Sequence, residues 1–168
     1  MKVVLVIAPE DFRDEELFHT KEELEKVGIK TIIASKKTGK AVGMLGGIAE
    51  AEITLDQIKV PEFDGIIFVG GVGSATYFND TTALNLAKDF FEKGKLVAAI
   101  CIAPSILANS GILEGKKATS YPSEENNLKS KGAKYTGKGV EVDGKIVTGK
   151  GPQFAREFGK EIVKVLKG

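Results

Sequence analysis

The chain has no tryptophan, one cysteine, one histidine and only two arginines, Arg13 and Arg156. A single cysteine excludes an intrachain disulfide. No charge of one sign dominates: the formal net charge is +1. Neither a nucleic acid nor an acidic membrane surface is therefore an expected partner. Long hydrophobic runs are missing too. The apolar start, Met1–Ala8, is far shorter than the ~20 residues of a membrane span. It also lacks the flanks of a signal peptide, so a soluble, cytoplasmic protein is expected. No repeat, linker or low-complexity stretch divides the 168 residues, which predicts one domain spanning 1–168. Neither G-x-G-x-x-G nor a Gly-Lys-Ser/Thr phosphate loop is present. No metal or cofactor is expected.

What is present is a series of short apolar runs. Val3–Ala8, Ile29–Ala34, Gly65–Val69 and Leu96–Cys101 read as strands buried on both faces, as in a parallel sheet covered by helices. Helical patterns lie between them. Asp14–Val27 spaces Leu17, Leu24 and Val27 along one face and stops at Gly28. Thr81–Lys93 follows a capping Asp80, with a stripe of Leu84, Ala87 and Phe91. Phe154, Phe158, Ile162 and Val165 mark a C-terminal helix. Two segments break the rhythm. Val42–Leu55 suggests short strands or a hairpin, and Asp143-Gly144 suggests a hairpin with a type I′ turn. The order predicts an α/β fold, a doubly wound and mostly parallel sheet.

Cys101 ends its strand, and Pro104 stands where the first turn of a helix tolerates a missing N–H. The carboxyl end of a strand in such a sheet is where sites form. A helix N-terminus there is expected to lower the thiol pKa below ~8.5. The same local pattern fits a buried, inert core cysteine equally well. A second strand end, Ile66–Val69, runs into Gly70-Gly71. If it neighbours the Cys101 strand, the N–H groups of Gly71 and Ile102 can form an oxyanion hole. The first strand ends in Glu10, Asp11, Arg13, Asp14, Glu15 and Glu16. Most of these fit a solvated helix start. One or two turned inward would hold a protonated carboxyl against the sulfur.

Three strand ends together resemble the DJ-1/PfpI superfamily of cysteine peptidases, deglycases and oxidative-stress proteins. Ala99-Ile100-Cys101-Ile102-Ala103-Pro104 looks like its nucleophile elbow, and Phe68-Val69-Gly70-Gly71 like its oxyanion loop. Thr119-Ser120-Tyr121-Pro122 and Val147–Pro152 resemble later family segments. The resemblance implies a flavodoxin-like three-layer sandwich, similar to class I glutamine amidotransferases. It implies a catalytic Cys101 with Glu16, or failing that Glu15, as the acid. It also implies a substrate site at Gly70 and Tyr121, and a homodimer or larger homo-oligomer. Phe18, Met44 and Leu45 are the interface residues expected if exposed. The implied substrates are small aldehydes, glycated molecules or peptides.

The chain departs from the peptidase branch at Ile102, where that branch is similar to a Cys-His pair. Its lone histidine, His19, lies three residues after Glu16, and Tyr121 aligns with another histidine of the family. Peptide hydrolysis needs a proton for the leaving amine. Aldehyde or adduct chemistry demands less, since a carboxyl group can shuttle the proton. An alternative is a sensor whose Cys101 oxidises to a sulfinate without turnover. A nucleotide or flavin site is disfavoured by the acidic loop Pro9-Glu10-Asp11-Phe12.

Overall fold

In the computed structural model, which describes residues 1–168, the apolar runs become the strands of one twisted sheet. Along the chain the elements are β1 (Lys2–Val6), β2 (Glu10–Phe12), α1 (Asp14–Glu25), β3 (Lys30–Ser35), β4 (Gly39–Gly43), β5 (Ile48–Ala51) and β6 (Ile53–Thr54). There follow β7 (Gly65–Phe68), α2 (Thr81–Glu92), β8 (Leu96–Ile100), α3 (Pro104–Ser110), β9 (Lys117–Ala118) and α4 (Glu125–Ser130). The chain ends with β10 (Lys134–Tyr135), β11 (Val140–Asp143), β12 (Ile146–Gly149) and α5 (Ala155–Lys167). The central sheet has the order β11-β12-β8-β7-β1-β3-β6. Every pairing in it is parallel except β11 with β12.

Both faces of the sheet are covered, which is why its strands are apolar without alternation. On one side Leu17 and Leu24 of α1 and Phe158 and Ile162 of α5 pack on Val3, Leu5, Ile67, Ala98 and Ile100. On the other, α2 and α3 bring Phe90, Ile106 and Leu107 against Val4, Val6, Ile66, Phe68, Val97 and Ala99. This is the three-layer α/β sandwich expected. The chain turns from β1 outward to β3, then returns to β7 on the other side of β1. The sheet's switch point thus lies at the carboxyl ends of β1 and β7, beside β8, where sites form in such folds.

Several details differ from the expectation. The Asp80 carboxylate does cap α2, accepting the Ala83 N–H at 2.9 Å. The buried stripe, however, is Ala83, Leu86, Ala87 and Phe90, while Phe91 is 37% exposed. An i, i+3, i+4, i+7 face centred on Ala87 leaves Leu84 and Phe91 on its flanks. Helix α1 ends at Glu25, so Val27 is exposed. The hairpin β11–β12 forms, but its central residues are Gly144 and Lys145, and only Gly144 has positive φ, at 61°. That is the type II′ pattern, not type I′.

The ambiguous segment Val42–Leu55 is a hairpin, β4 against β5, extended by β2 into a three-stranded sheet of its own. Its tip is tied to α1 by Asp14. The two carboxylate oxygens accept the N–H groups of Leu45 at 2.8 Å and Gly47 at 2.7 Å. β-Carbons at Gly43 or Gly47 would meet that carboxylate at 2.5 Å. Asp14→Ala should therefore cost about 2–4 kcal/mol, since two charge-assisted bonds to one turn are lost. Urea unfolding measures it; a loss no larger than that of an exposed surface change would show that the tip holds without Asp14.

Candidate functional site

Strand β8 stops at Ile100 because the next residue leaves the extended region. Cys101 has φ of 66°, one of two non-glycine residues with positive φ. Such a conformation costs about 1–3 kcal/mol and persists only where neighbours impose it. Two hydrogen bonds do so. The Cys101 N–H donates to the Gly149 carbonyl of β12 at 2.9 Å, and its carbonyl accepts the Tyr121 N–H at 2.8 Å. Helix α3 then starts at Pro104. The sharp turn lifts the thiol out of the strand into a cleft.

Strand β7 is the parallel neighbour of β8, with Phe68 opposite Ala99. Its end therefore places Gly70 and Gly71 beside Cys101. A β-carbon at Gly70 would lie 2.6 Å from Cys101 Cβ and 2.5 Å from the Ile100 carbonyl oxygen, and would collide with Glu16 Oε1. The missing side chain is what lets Glu16 approach the cysteine. Gly71 has φ of 102° and is crowded by the backbone of Asp11, Phe12 and Arg13. The backbone amides of Gly71 and Ile102 act on the Cys101 sulfur.

The acid comes from α1. Arg13 N–H donates to the Gly70 carbonyl at 2.9 Å, which pins the start of this helix to the Gly70-Gly71 loop. Glu16, in the first turn, is then fully buried, and neither carboxyl oxygen has a well-aligned hydrogen-bond partner. Burial raises its pKa to about 8; Cys101 and the Gly70 backbone lie near enough to oppose that rise. Burial thus favours the neutral carboxyl, the form that can donate toward the sulfur. Glu15 points elsewhere. It pairs with Arg13, at 2.9 Å to Nε, and this bond holds its pKa below the usual carboxylate range.

The thiol itself differs from the expectation of a lowered pKa. Burial first, and then the Glu16 charge, push Cys101 up to about 12; the two amides oppose them. The short helix does not outweigh burial. Two negative charges cannot coexist here, so the pair holds at most one. With the proton on Glu16, the Coulombic part of the rise disappears and the carboxyl and amides favour charge on sulfur, against the burial that remains.

This buried acid carries a pH signature. Its folded pKa lies above its unfolded value, so the native state binds more protons between pH ~4.5 and ~8. Stability falls as pH rises through that window, by about 5 kcal/mol in all. Glu16→Gln removes this slope. Denaturant midpoints of both proteins at several pH values should show the Gln variant gaining relative stability as pH rises. A pH-independent difference would mean that Glu16 is already ionised in the native state.

Cys101, Gly71, Ile102 and Tyr121 line one cleft of about 760 Å³. Tyr121 is exposed at its rim. Gly70 lies beneath, as the gap between Glu16 and Cys101. His19 is not in the cleft; it lines a separate depression with Arg13, Glu15 and Arg156. Two residues that the sequence reading passed over belong to the cleft region. Glu124 lines it, and buried Ser105 of α3 donates to Glu124 at 2.6 Å. Nothing in the run Ser123-Glu124-Glu125 distinguishes one carboxylate from the next, so only the fold selects Glu124. At the hairpin tip Met44 also reaches the cleft, Leu45 is 64% exposed, and Phe18 is half-buried, edge-on to Phe12 with ring centroids 6.1 Å apart. No group of three or more His, Cys, Asp or Glu is placed to hold a metal, and no helix is long and apolar enough to cross a membrane.

The model of the DJ-1/PfpI family matches residues 1–165. An uncharacterized protein of Methanocaldococcus jannaschii is 46% identical over 99% of this chain and 82% of its own length. A deglycase of Pyrococcus horikoshii is 34% identical over 99% of this chain and 100% of its own. The crystal structure of a ThiJ/PfpI domain protein from Brachyspira murdochii superposes with a TM-score of 0.97 at 34% identity, covering 99% of this chain and 96% of that one. The chain belongs to the DJ-1/PfpI family.

Proposed function

We propose that this protein is a cysteine-dependent deglycase, acting on 2-oxoaldehydes and on their adducts with amines. The observation that carries the reading is the fully buried Glu16 carboxyl against Cys101, in a cleft without a histidine. A carboxyl group that can give and take back one proton suits an electrophile that is already reactive. Relatives named deglycases, such as that of Pyrococcus horikoshii, support the same reading.

For an amine–methylglyoxal adduct the steps balance as follows. The thiol gives its proton to solvent, Sγ bonds to the carbon that carries the amine, the C–N bond breaks, and the Glu16 carboxyl gives its proton to the departing nitrogen. The carboxylate then takes the hydrogen from that carbon as a proton and returns it to the neighbouring carbonyl carbon, while the hydroxyl proton of the first carbon passes to the second oxygen, which the Gly71 and Ile102 amides would steady while charged. This leaves a thioester of a 2-hydroxy acid. Water cleaves it to lactate and the free thiol, and the acid proton released returns to Glu16. Peptide hydrolysis would ask the same carboxyl to serve a far poorer electrophile and leaving group.

The test is lactate formation from methylglyoxal, and from its adduct with an arginine derivative, above the buffer rate. Absence of lactate in both, with peroxide adding two oxygens to Cys101 by mass spectrometry, would replace the enzyme with a redox sensor.

A further inference from the structure

The cleft around Cys101 carries two charged side chains, Arg13 and Glu124. Arg13 is already engaged: its Nε and Nη2 donate to Glu15 at 2.9 and 3.2 Å. Glu124 has no such partner, since the ion pairs of the chain all involve other groups. Hydroxyl groups hold it instead. Ser105 Oγ–H donates to Oε1 at 2.6 Å, and Ser123 Oγ–H to Oε2 at 2.8 Å.

Ser105 is fixed in turn. Its oxygen accepts from Asn127 Nδ2 at 3.0 Å, and that amide also donates to Asn109 Oδ1 at 3.1 Å. Asn109 Nδ2 donates to the carbonyl of Phe78, itself a cleft residue, at 2.8 Å. A chain of side chains thus ties Glu124 to α3, the helix that follows the Cys101 elbow. Hydroxyl donors leave the negative charge in place, and each oxygen keeps a lone pair for a further donor. A carboxylate held rigid and without a cation, in the wall of a reactive cleft, is complementary to a positively charged ligand.

We propose that Glu124 is a specificity residue of this cleft, selecting substrates whose adduct is carried on a cationic side chain. The planar guanidinium of arginine fits its two oxygens best, and the ammonium of lysine follows. The role in turnover rests on the deglycase reading; the binding preference rests on the cleft alone.

The test therefore measures binding without turnover. Nα-acetylarginine amide, Nα-acetyllysine amide and the neutral isostere Nα-acetylcitrulline amide are each used to protect Cys101 from iodoacetamide. In the wild type, the arginine amide should protect at a roughly tenfold lower concentration than the citrulline amide, with the lysine amide between them. In Glu124→Gln, which keeps an acceptor for Ser105, that difference should vanish. Equal protection by all three in the wild type overturns the proposal, as does a preference that survives in Glu124→Gln. The two readings fail separately. Cation-selective protection without lactate formation removes the deglycase and leaves the Glu124 site. Lactate formation without cation selectivity does the reverse.

Discussion

Cys101→Ala should lower kcat/KM for methylglyoxal by at least about a thousandfold. The sulfur is the only thiol of the chain, and a thioester is the intermediate through which the proposed hydrogen shift becomes a hydrolysis. Alanine leaves the elbow hydrogen bonds to Gly149 and Tyr121 in place, so the loss is chemical and not structural. Glu16→Gln should cost about 10²–10⁴ in the same parameter, because glutamine cannot donate and recover the proton. The informative measurement is the double variant. The carboxyl moves protons only on the substrate that the sulfur holds, so removing both should be no worse than removing the thiol alone. Should Glu16→Gln lower the residual rate of Cys101→Ala by its full factor, the two residues do not work as a unit.

A single methyl group at Gly70 should be nearly as damaging. In Gly70→Ala the new carbon would stand 2.5 Å from the Ile100 carbonyl oxygen and 2.6 Å from Cys101 Cβ, with Glu16 Oε1 closer still. Two of these atoms belong to β8 or to the elbow and cannot rotate away. The acid is the part that can yield, and moving it separates it from the sulfur. Activity should fall by about a hundredfold or more, given how steeply proton transfer depends on position. Stability should fall by about 1–3 kcal/mol, as for other overpacked cores. Steady-state kinetics with a denaturant melt read both effects. Full activity in a well-folded Gly70→Ala protein would show that Glu16 need not lie against Cys101 for the reaction.

The two effects of Glu16 pull in opposite directions. Its burial opposes ionisation and lowers stability near neutral pH, yet the same burial keeps the proton available for chemistry. Cys101 likewise holds a left-handed backbone conformation that a core residue would avoid. Both costs fall on residues of the proposed reaction, where such compromises concentrate. The remaining neighbours are conventional: Asp14 anchors a turn, and Asp80 caps a helix.

Much of this molecule is legible before folding. Runs such as Leu96–Ile100 have no polar side to show, so they can only be strands covered on both faces. Gly28, Gly94 and Pro104 mark where helices stop or begin. The elbow is visible for the same local reason, because an apolar strand meeting Pro104 three residues after Cys101 leaves little room for another path. Periodicity alone proved weaker on α2, where a shift of one residue moved Phe91 from core to surface. Turn type also escaped it, since Asp143-Gly144 sits one residue out of register with the true centre, Gly144-Lys145.

The site divides along the same line. Sequence by itself determined that one cysteine ends a central strand, that a glycine pair ends another, and that acids begin the first helix; these are properties of contiguous residues. Only the tertiary structure decided which acid faces the sulfur. Glu15 and Glu16 are adjacent and chemically alike, but successive helical residues point about 100° apart, and the docking of α1 against Gly70 buries one and leaves the other with Arg13. Glu124 was decided the same way, by Ser105 across a gap of 19 residues. The thiol's pKa is likewise a property of surroundings. Local sequence predicts a helix start that lowers it, whereas burial and a carboxyl from a distant helix raise it, because desolvation and Coulomb energy are summed over neighbours in space and not along the chain.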